Sequence, residues 1–379
     1  MKKLLLIVVS LSLMGLVAID NVQAQEELEI SGNVNVVTGW QRASKNAVSG
    51  ASGILNDGLA GPGAVTTDVF GFALDEVEVD LARSFGENIR TRADIDFTAH
   101  RADANNPGAA QAVGLEQGYV TFNVPVGNGG EFLIGRYNSG IGLDPIDRDE
   151  LSTISFNTIH RSLLPHNMTG ARFWYGINDN WSFDLYLVNS LSDSFATDIP
   201  SFGFDLNWAK GDEGRQSWVR FSGAGGPESA LKKHWSFLGD LSADVALGEA
   251  FNFGLEGTYR QDNATAAAAD NAQYFGGVLQ LRYAFSDIWD GTLRYGFTWD
   301  LDAGGGAATV GTANPLASNT IAAVGLGLDG TQHDFSLATG YQITDGAKFV
   351  LEGRMDVTRT AAGVTGYTPG FAGGFLYNF

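Results

Sequence analysis

The 379-residue chain has no cysteine, so it can build neither a disulfide framework nor a thiolate metal or redox site. Basic residues are scarce: 23 Lys and Arg stand against 43 Asp and Glu, a formal net charge of −20. Binding to a phosphate backbone needs a cationic excess, so nucleic acid is not an expected partner. Beyond the first two dozen residues, no stretch approaches the roughly 18 continuous apolar residues of a membrane-spanning helix. Enzyme signatures are missing as well, with no phosphate loop, zinc-binding His pair or nucleophile elbow. Gly325-Leu326-Gly327-Leu328-Asp329-Gly330 spells the dinucleotide fingerprint. No helix-forming run follows it, and in a chain with 50 glycines we read it as chance. No cofactor and no metal site are expected, because Asp147-Arg148-Asp149-Glu150 lacks the ligand spacing and turn glycine of a calcium loop.

What is present begins with an export signal. Lys2 and Lys3 precede a mostly apolar run from Leu4 to Ile19, and Val22-Gln23-Ala24 offers a small-residue cleavage site. Residues 1–24 are therefore expected to be removed, leaving 25–379 as a single domain. An exported chain without disulfides must take its stability from topology and hydrogen bonding.

Residues Asn88–His100 set the pattern of that domain. Ile89, Thr91, Ala93, Ile95, Phe97 and Ala99 share one face of an extended strand, and Arg90, Arg92, Asp94, Asp96 and His100 share the other. Leu28–Trp40 and Phe72–Ser84 alternate in the same way, with Glu76, Glu78 and Asp80 opposite Val77, Val79 and Leu81. Further strands are expected near 113–124, 130–137, 168–177, 180–190, 201–210, 214–223, 234–247, 250–261, 273–286, 289–301, 332–343, 347–358 and 368–379, sixteen in all. Thr320–Leu328 leaves room for an additional pair.

Alternation alone fits either a soluble sandwich, with its apolar face against a second sheet, or a membrane barrel, with that face against lipid. The connections discriminate. Short turns carrying Gly, Asn or Asp (Gly86-Glu87, Val126–Gly129, Asn178-Asp179, Gly211–Glu213, Gly248-Glu249, Ser286–Ile288, Asp345-Gly346) alternate with long links near 41–71, 101–112, 138–167, 191–200, 224–233, 262–272, 302–331 and 359–367. An up-and-down barrel shows this two-sidedness, and Greek-key sandwiches do not. Aromatics on the apolar parity gather at strand ends: Trp181, Trp208, Phe251, Phe285, Trp289, Phe349 and Phe379 on the short-turn side, Trp40, Phe202, Trp235, Tyr259 and Trp299 on the other. Leu185, Leu255, Leu279 and Leu337 occupy the strand middles, so two interfacial girdles are expected rather than an aromatic core. The fold class is accordingly all-β, a closed transmembrane antiparallel barrel of about sixteen strands.

The chain resembles the bacterial outer-membrane porins, and more narrowly a β-barrel porin family known mostly from sequence. The resemblance is carried by Gly374-Phe375-Leu376-Tyr377-Asn378-Phe379, by Met168-Thr169-Gly170-Ala171-Arg172-Phe173-Trp174-Tyr175-Gly176 and by Asp179-Asn180-Trp181-Ser182-Phe183-Asp184 with Val188-Asn189. It implies the outer membrane of a Gram-negative bacterium, outer-membrane lipid as surroundings, and recognition of the terminal Phe379 by the barrel-assembly machinery. The Pro-Glu-Phe-Gly-Gly type run of the third loop in trimeric porins is missing, which leaves a homo-oligomer such as a trimer open.

The inward parity names the expected pore wall: Glu76, Glu78, Asp80, Arg90, Arg92, Asp94, Asp96, Arg282, Arg294, Glu352 and Arg354. Acids outnumber bases on that parity, and acidic rings favour cations, so a weak cation preference is expected. Arg90 and Arg92 could instead pair with Glu76, Glu78 or Asp80 to stiffen the wall. Loop 138–167, with Asp144, Asp147, Arg148, Asp149, Glu150 and Arg161, is the candidate constriction, because long structureless loops are uncommon unless functional. The expected function is a water-filled channel for passive diffusion of small hydrophilic solutes and ions, not an enzyme. Two rivals stand beside it: a structural barrel anchoring the envelope or sheathing a partner such as an electron carrier, and an outer-membrane hydrolase using a Ser or Asp beside a His.

Overall fold

A computed structural model describes residues 27–42, 68–98, 112–191, 199–211, 216–227, 235–263, 272–303, 330–360 and 363–379. The export signal, His100, His234, most of loops 41–71, 101–112 and 302–331, the glycine fingerprint up to Asp329 and the possible strand at Thr320–Leu328 lie outside these residues.

Sixteen strands are present: β1 (Glu29–Arg42), β2 (Asp68–Phe85), β3 (Ile89–Thr98), β4 (Ala112–Val124), β5 (Gly130–Asn138), β6 (Asn167–Gly176), β7 (Trp181–Val188), β8 (Ser201–Lys210), β9 (Ser217–Pro227), β10 (Trp235–Leu247), β11 (Phe251–Asp262), β12 (Ala272–Ser286), β13 (Trp289–Ala303), β14 (Thr331–Thr344), β15 (Ala347–Arg359) and β16 (Thr365–Asn378). Each pairs antiparallel with its sequence neighbours, and the order closes on itself. The closure runs from Asn33 opposite Asn378 to Gln41 opposite Gly370. It is extended by a reciprocal backbone pair between Gly32 and Phe379, at 3.2 and 3.0 Å. In hydrocarbon each orphaned N–H or C=O costs several kcal/mol, so the absence of an edge is what makes a sheet stable there.

The faces are inverted relative to a water-soluble protein. Leu337 is 66% exposed, whereas its neighbours Ser336 and Ala338 are each 2% exposed. The same contrast separates Leu279 from Gln280 and Leu255 from Glu256. Rings pair at the strand ends, as in Trp289 with Tyr341 (centroids 6.2 Å apart) on the short-turn side and the half-buried Trp40 with Phe371 (5.8 Å) on the other.

Two features depart from the reading of the sequence. Strands overrun their expected bounds toward the long loops: β2 starts at Asp68 rather than Phe72, β9 ends at Pro227, and β13 ends at Ala303. A hydrogen-bonded ladder does not stop where the hydrocarbon stops. The link near 359–367 is also shorter than expected. Only residues 360–364 separate β15 from β16, with Thr360 N–H bonded to Val364 O (3.0 Å) and Gly363 at φ 77°. The left-handed conformation there suits glycine.

Candidate functional site: a loop inside the barrel

β5 ends at Asn138 and β6 begins at Asn167, and residues 139–166 between them turn inward. The loop is built for burial. Ile141, Leu143, Leu151, Ile154, Phe156, Ile159, Leu163 and Leu164 are all at most 9% exposed. Gly142 permits the entry bend, at φ 105°, where a Cβ would also collide with the Leu164 side chain. A single 3-10 turn at Arg148–Glu150 is followed by a short helix, α1 (Thr158–Ser162). Asn157 caps α1 by accepting the His160 N–H at 2.8 Å.

The loop bridges opposite walls. On one side Leu143, Ile159, Leu163 and Leu164 share an apolar cluster with inward-facing Leu133, Tyr137, Tyr186, Leu238 and Val278. On the other, Ile154 packs with Val37, Val350, Ala372 and Leu376. Polar latches fix the second contact. Glu352 accepts from the backbone N–H of Ile154 (2.7 Å) and Ser155 (2.9 Å) and from Ser155 Oγ (2.6 Å). Arg354 donates to Ser155 Oγ and to Phe156 O, both at 2.7 Å, while its fork holds Asp356 at 2.8 Å twice. Arg294 donates to Thr153 Oγ1 (2.8 Å), Ser155 O (2.6 Å) and Asp144 Oδ2 (3.3 Å). Asp334 accepts the Thr158 N–H at 3.1 Å, and Arg260 reaches Leu163 O at 3.0 Å.

The remaining candidate residues divide by position. Glu76, Glu78 and Asp94 are at most 2% exposed; Asn33 Nδ2 donates to Glu76 (3.3 Å) and Glu78 (2.9 Å). With Arg294, Glu352 and Arg354 they lie within the wall or beneath the loop rather than along open water. Arg92 bonds Asp94 (2.7 Å) and approaches Asp80 (3.5 Å), whereas Arg90 pairs with Glu29 at 2.8 Å instead of the neighbouring acids of β2. Asp96 is half-buried, and Arg282 pairs with Asp244 on the wall. In the loop, Arg148 is buried, meets Asp75 at 3.0 Å and lies over the Phe156 ring. Asp147 accepts from Asn138 Nδ2 (3.1 Å), Asp149 accepts from Asn378 Nδ2 (2.9 Å), Glu150 is exposed, and Arg161 sits half-buried on α1. Phe379 stacks on Tyr377 at 6.4 Å and is 52% exposed.

Two site residues escape the alternation rule. The β1–β2 register shifts at Asn35/Val36, so that Asp75 is an extra residue on β2; it meets Asn35 Nδ2 (3.3 Å) and Arg148. The β3–β4 register shifts at Asp94/Ile95, leaving Glu116 as the extra residue on β4, 8% exposed. Bulges re-aim side chains in this way. Their sequence trace is a slip of the apolar parity: Phe70, Phe72 and Leu74 are even-numbered, and Val77, Val79 and Leu81 odd.

Glu78 and Glu116 of the wall and Asp147 of the loop bring carboxylate oxygens within 4.8 Å of one another, as do Glu78, Asp80 and Asp94. Oxygen donors of this kind are what a hard cation would take. Burial, then the charges of Glu116, Glu150, Glu76 and Asp149, pushes Asp147 up to about 8 from its ordinary 3.8. Burial raises Asp149 too, aided by the neighbouring charges of Glu76 and Asp80. A carboxyl whose pKa is raised by seating favours the seated loop while protonated, and that preference is lost as pH climbs from 3.8 through about 8. Proteolytic nicking of the loop should therefore increase between pH 5 and pH 8, and Asp147→Asn should flatten that dependence.

With this geometry the chain can be set beside known proteins. No curated protein sequence matches it. Among solved structures it is similar to the outer membrane channel DcaP of Acinetobacter baumannii (TM-score 0.64, 11% identity, covering 93% of this chain and 97% of that one). It is also similar to an anion-selective porin from Comamonas acidovorans (TM-score 0.60, 10% identity, 93% and 99%) and to OmpT of Vibrio cholerae (TM-score 0.56, 10% identity, 93% and 97%). At such identities these likenesses establish the fold. A family model matches residues 27–372. The closed sixteen-strand barrel and that match together show an outer-membrane channel protein, and the chain belongs to the family described as Putative beta-barrel porin-2, OmpL-like.

Proposed function

We propose that this barrel is a diffusion channel for small hydrophilic solutes and ions, narrowed by residues 139–166 and weakly selective for cations. One observation carries the reading. The loop's acidic segment Asp147–Glu150 faces an acidic wall, with Glu78 and Glu116 within 4.8 Å of Asp147, while the nearby Arg92 and Arg148 are each engaged with carboxylates. Asp147 ionises only toward pH 8, so the negative charge beside the loop, and with it the attraction for cations and the repulsion of anions, grows as pH rises. The Comamonas porin shares the fold and is named as anion-selective. Selectivity must therefore come from side chains rather than from the barrel, and the side chains here are acidic.

Reversal potentials across planar bilayers in a KCl gradient test this. At pH 9, where Asp147 is ionised, purified protein should pass K⁺ over Cl⁻ by a few-fold, and Asp147→Asn with Asp149→Asn should bring the ratio toward one. A channel that prefers chloride would overturn the selectivity, and refolded protein without conductance would overturn the channel itself.

The same reading includes cleavage of residues 1–24, delivery of Phe379 to the barrel-assembly machinery and assembly into a homo-oligomer; one OmpT structure is described as a trimer form. A second reading, a scaffold barrel around a partner protein, is favoured by the loop's contacts with both sides of the lumen. A stoichiometric partner co-purifying with a non-conducting barrel would select it.

A further inference from the structure

The inner wall carries a second, chemically distinct place near the short-turn mouth, between β4, β5 and β6. A cavity of about 550 Å³ opens there beside the turn after β4, lined by Asn123, Glu131, Arg172 and Trp174. Register sets their arrangement. Trp174 is the cross-strand neighbour of Glu131 on β5 and of Asp184 on β7, and Asn123 follows Glu131 in the same row. One indole is thus flanked by a carboxylate on each side. Arg172, two residues before Trp174 on the same face, holds both acids: its Nη2 is 3.2 Å from Glu131 and its Nε 3.6 Å from Asp184. Arg172 and Glu131 are 29% and 32% exposed, so a solute can reach them.

We propose that this cavity is a binding subsite for a neutral polyhydroxylated ring, a mono- or disaccharide. The inference rests on the channel reading only for how the sugar arrives. Its one guanidinium is already shared between two carboxylates, so an anionic solute meets an excess of acid and a cationic one must compete with an existing ion pair. Hydroxyl groups need not, since they accept from unused guanidinium N–H groups and donate to spare carboxylate lone pairs while the pair persists. The indole supplies what remains. Its negative ring face suits the weakly positive C–H face of a pyranose, and the cavity lies within the size range of small-ligand sites.

The test is equilibrium binding of maltose to the refolded full-length barrel in detergent micelles, paired with bilayer recordings of current block by maltose. Saturable binding in the millimolar range is expected. Trp174→Ala should raise the half-saturating concentration at least tenfold, Trp174→Phe should retain most of the affinity, and Glu131→Gln should weaken it several-fold. Should Trp174→Ala fail to refold, Glu131→Gln and Asn123→Ala carry the comparison. The proposal is overturned by no saturable maltose binding, by unchanged affinity in these variants, or by tighter binding of succinate or spermidine than of maltose. Binding without conductance would keep the subsite and reject the channel; conductance without binding would do the reverse.

Discussion

Excising residues 144–163 and joining Leu143 to Leu164 through a short Gly-Ser linker is expected to raise single-channel conductance several-fold while the barrel still refolds. The loop contributes nothing to strand pairing, because the ladder closes through β1 and β16 alone. Its removal exposes Leu133, Tyr186, Leu238 and Val278 to lumen water. Burial of such side chains contributes roughly 1.5–3 kcal/mol each, so some stability is lost. The buried arginines and acids of β13–β15 regain hydration, which offsets part of that loss. A sixteen-strand barrel without an inserted segment leaves an aqueous channel, hence the expected rise. Planar-bilayer recording, with heat-modifiable gel migration as the folding control, checks it. Unchanged conductance would mean that the permeation path does not pass the loop.

The second large effect is expected from Arg354→Met. The guanidinium is fully buried and serves both the loop, through Ser155 and Phe156, and the wall, through Asp356. Removing one partner from a buried charged network costs roughly 3–5 kcal/mol, because the remaining charge stays buried and unpaired. Much of that cost can be relieved by unseating the loop and admitting water, so the variant should show loop cleavage by protease and large current fluctuations before any loss of barrel fold. Arg354→Lys should rescue little, because an ammonium cannot reproduce the fork that spans Asp356 and two loop oxygens. Arg354→Met combined with Asp356→Leu should recover much of the seating, since the carboxylate bound most closely is gone and Asp334 keeps Arg294 at 3.9 Å. Protease sensitivity no greater than wild type in Arg354→Met would sink the latch.

These latches also show where the sequence is legible and where it is not. Strand count, order and polarity of faces follow from period-two alternation and the spacing of turn residues, both local properties. The hairpin at 360–364 was hidden by Thr365–Tyr367, which read as loop yet pair with β15. Asp75 and Glu116 were hidden by bulges, and only the slip in apolar parity betrays them. The inward apolar side chains of β5–β12 were harder still. Tyr186 and Leu238 fall on the inward parity, where an apolar side chain makes no sense until something inside the barrel gives it a partner. That partner is announced by the loop itself, because a solvent-washed flap has no use for Ile141, Leu143, Ile154, Ile159, Leu163 and Leu164. Which wall they would meet depends on contacts such as Ile154 with Glu352, 198 positions apart, and no local pattern encodes that.

That separation has a temporal meaning. The loop leaves the chain after the fifth strand, yet its latches to Arg294, Asp334, Glu352 and Arg354 sit on β13–β15, so these close only after synthesis and pairing are nearly finished. Contacts between distant segments form late because chain closure must precede them. A barrel whose loop rests on one wall before it is latched to the other is thus the expected last stage on the way to the finished protein.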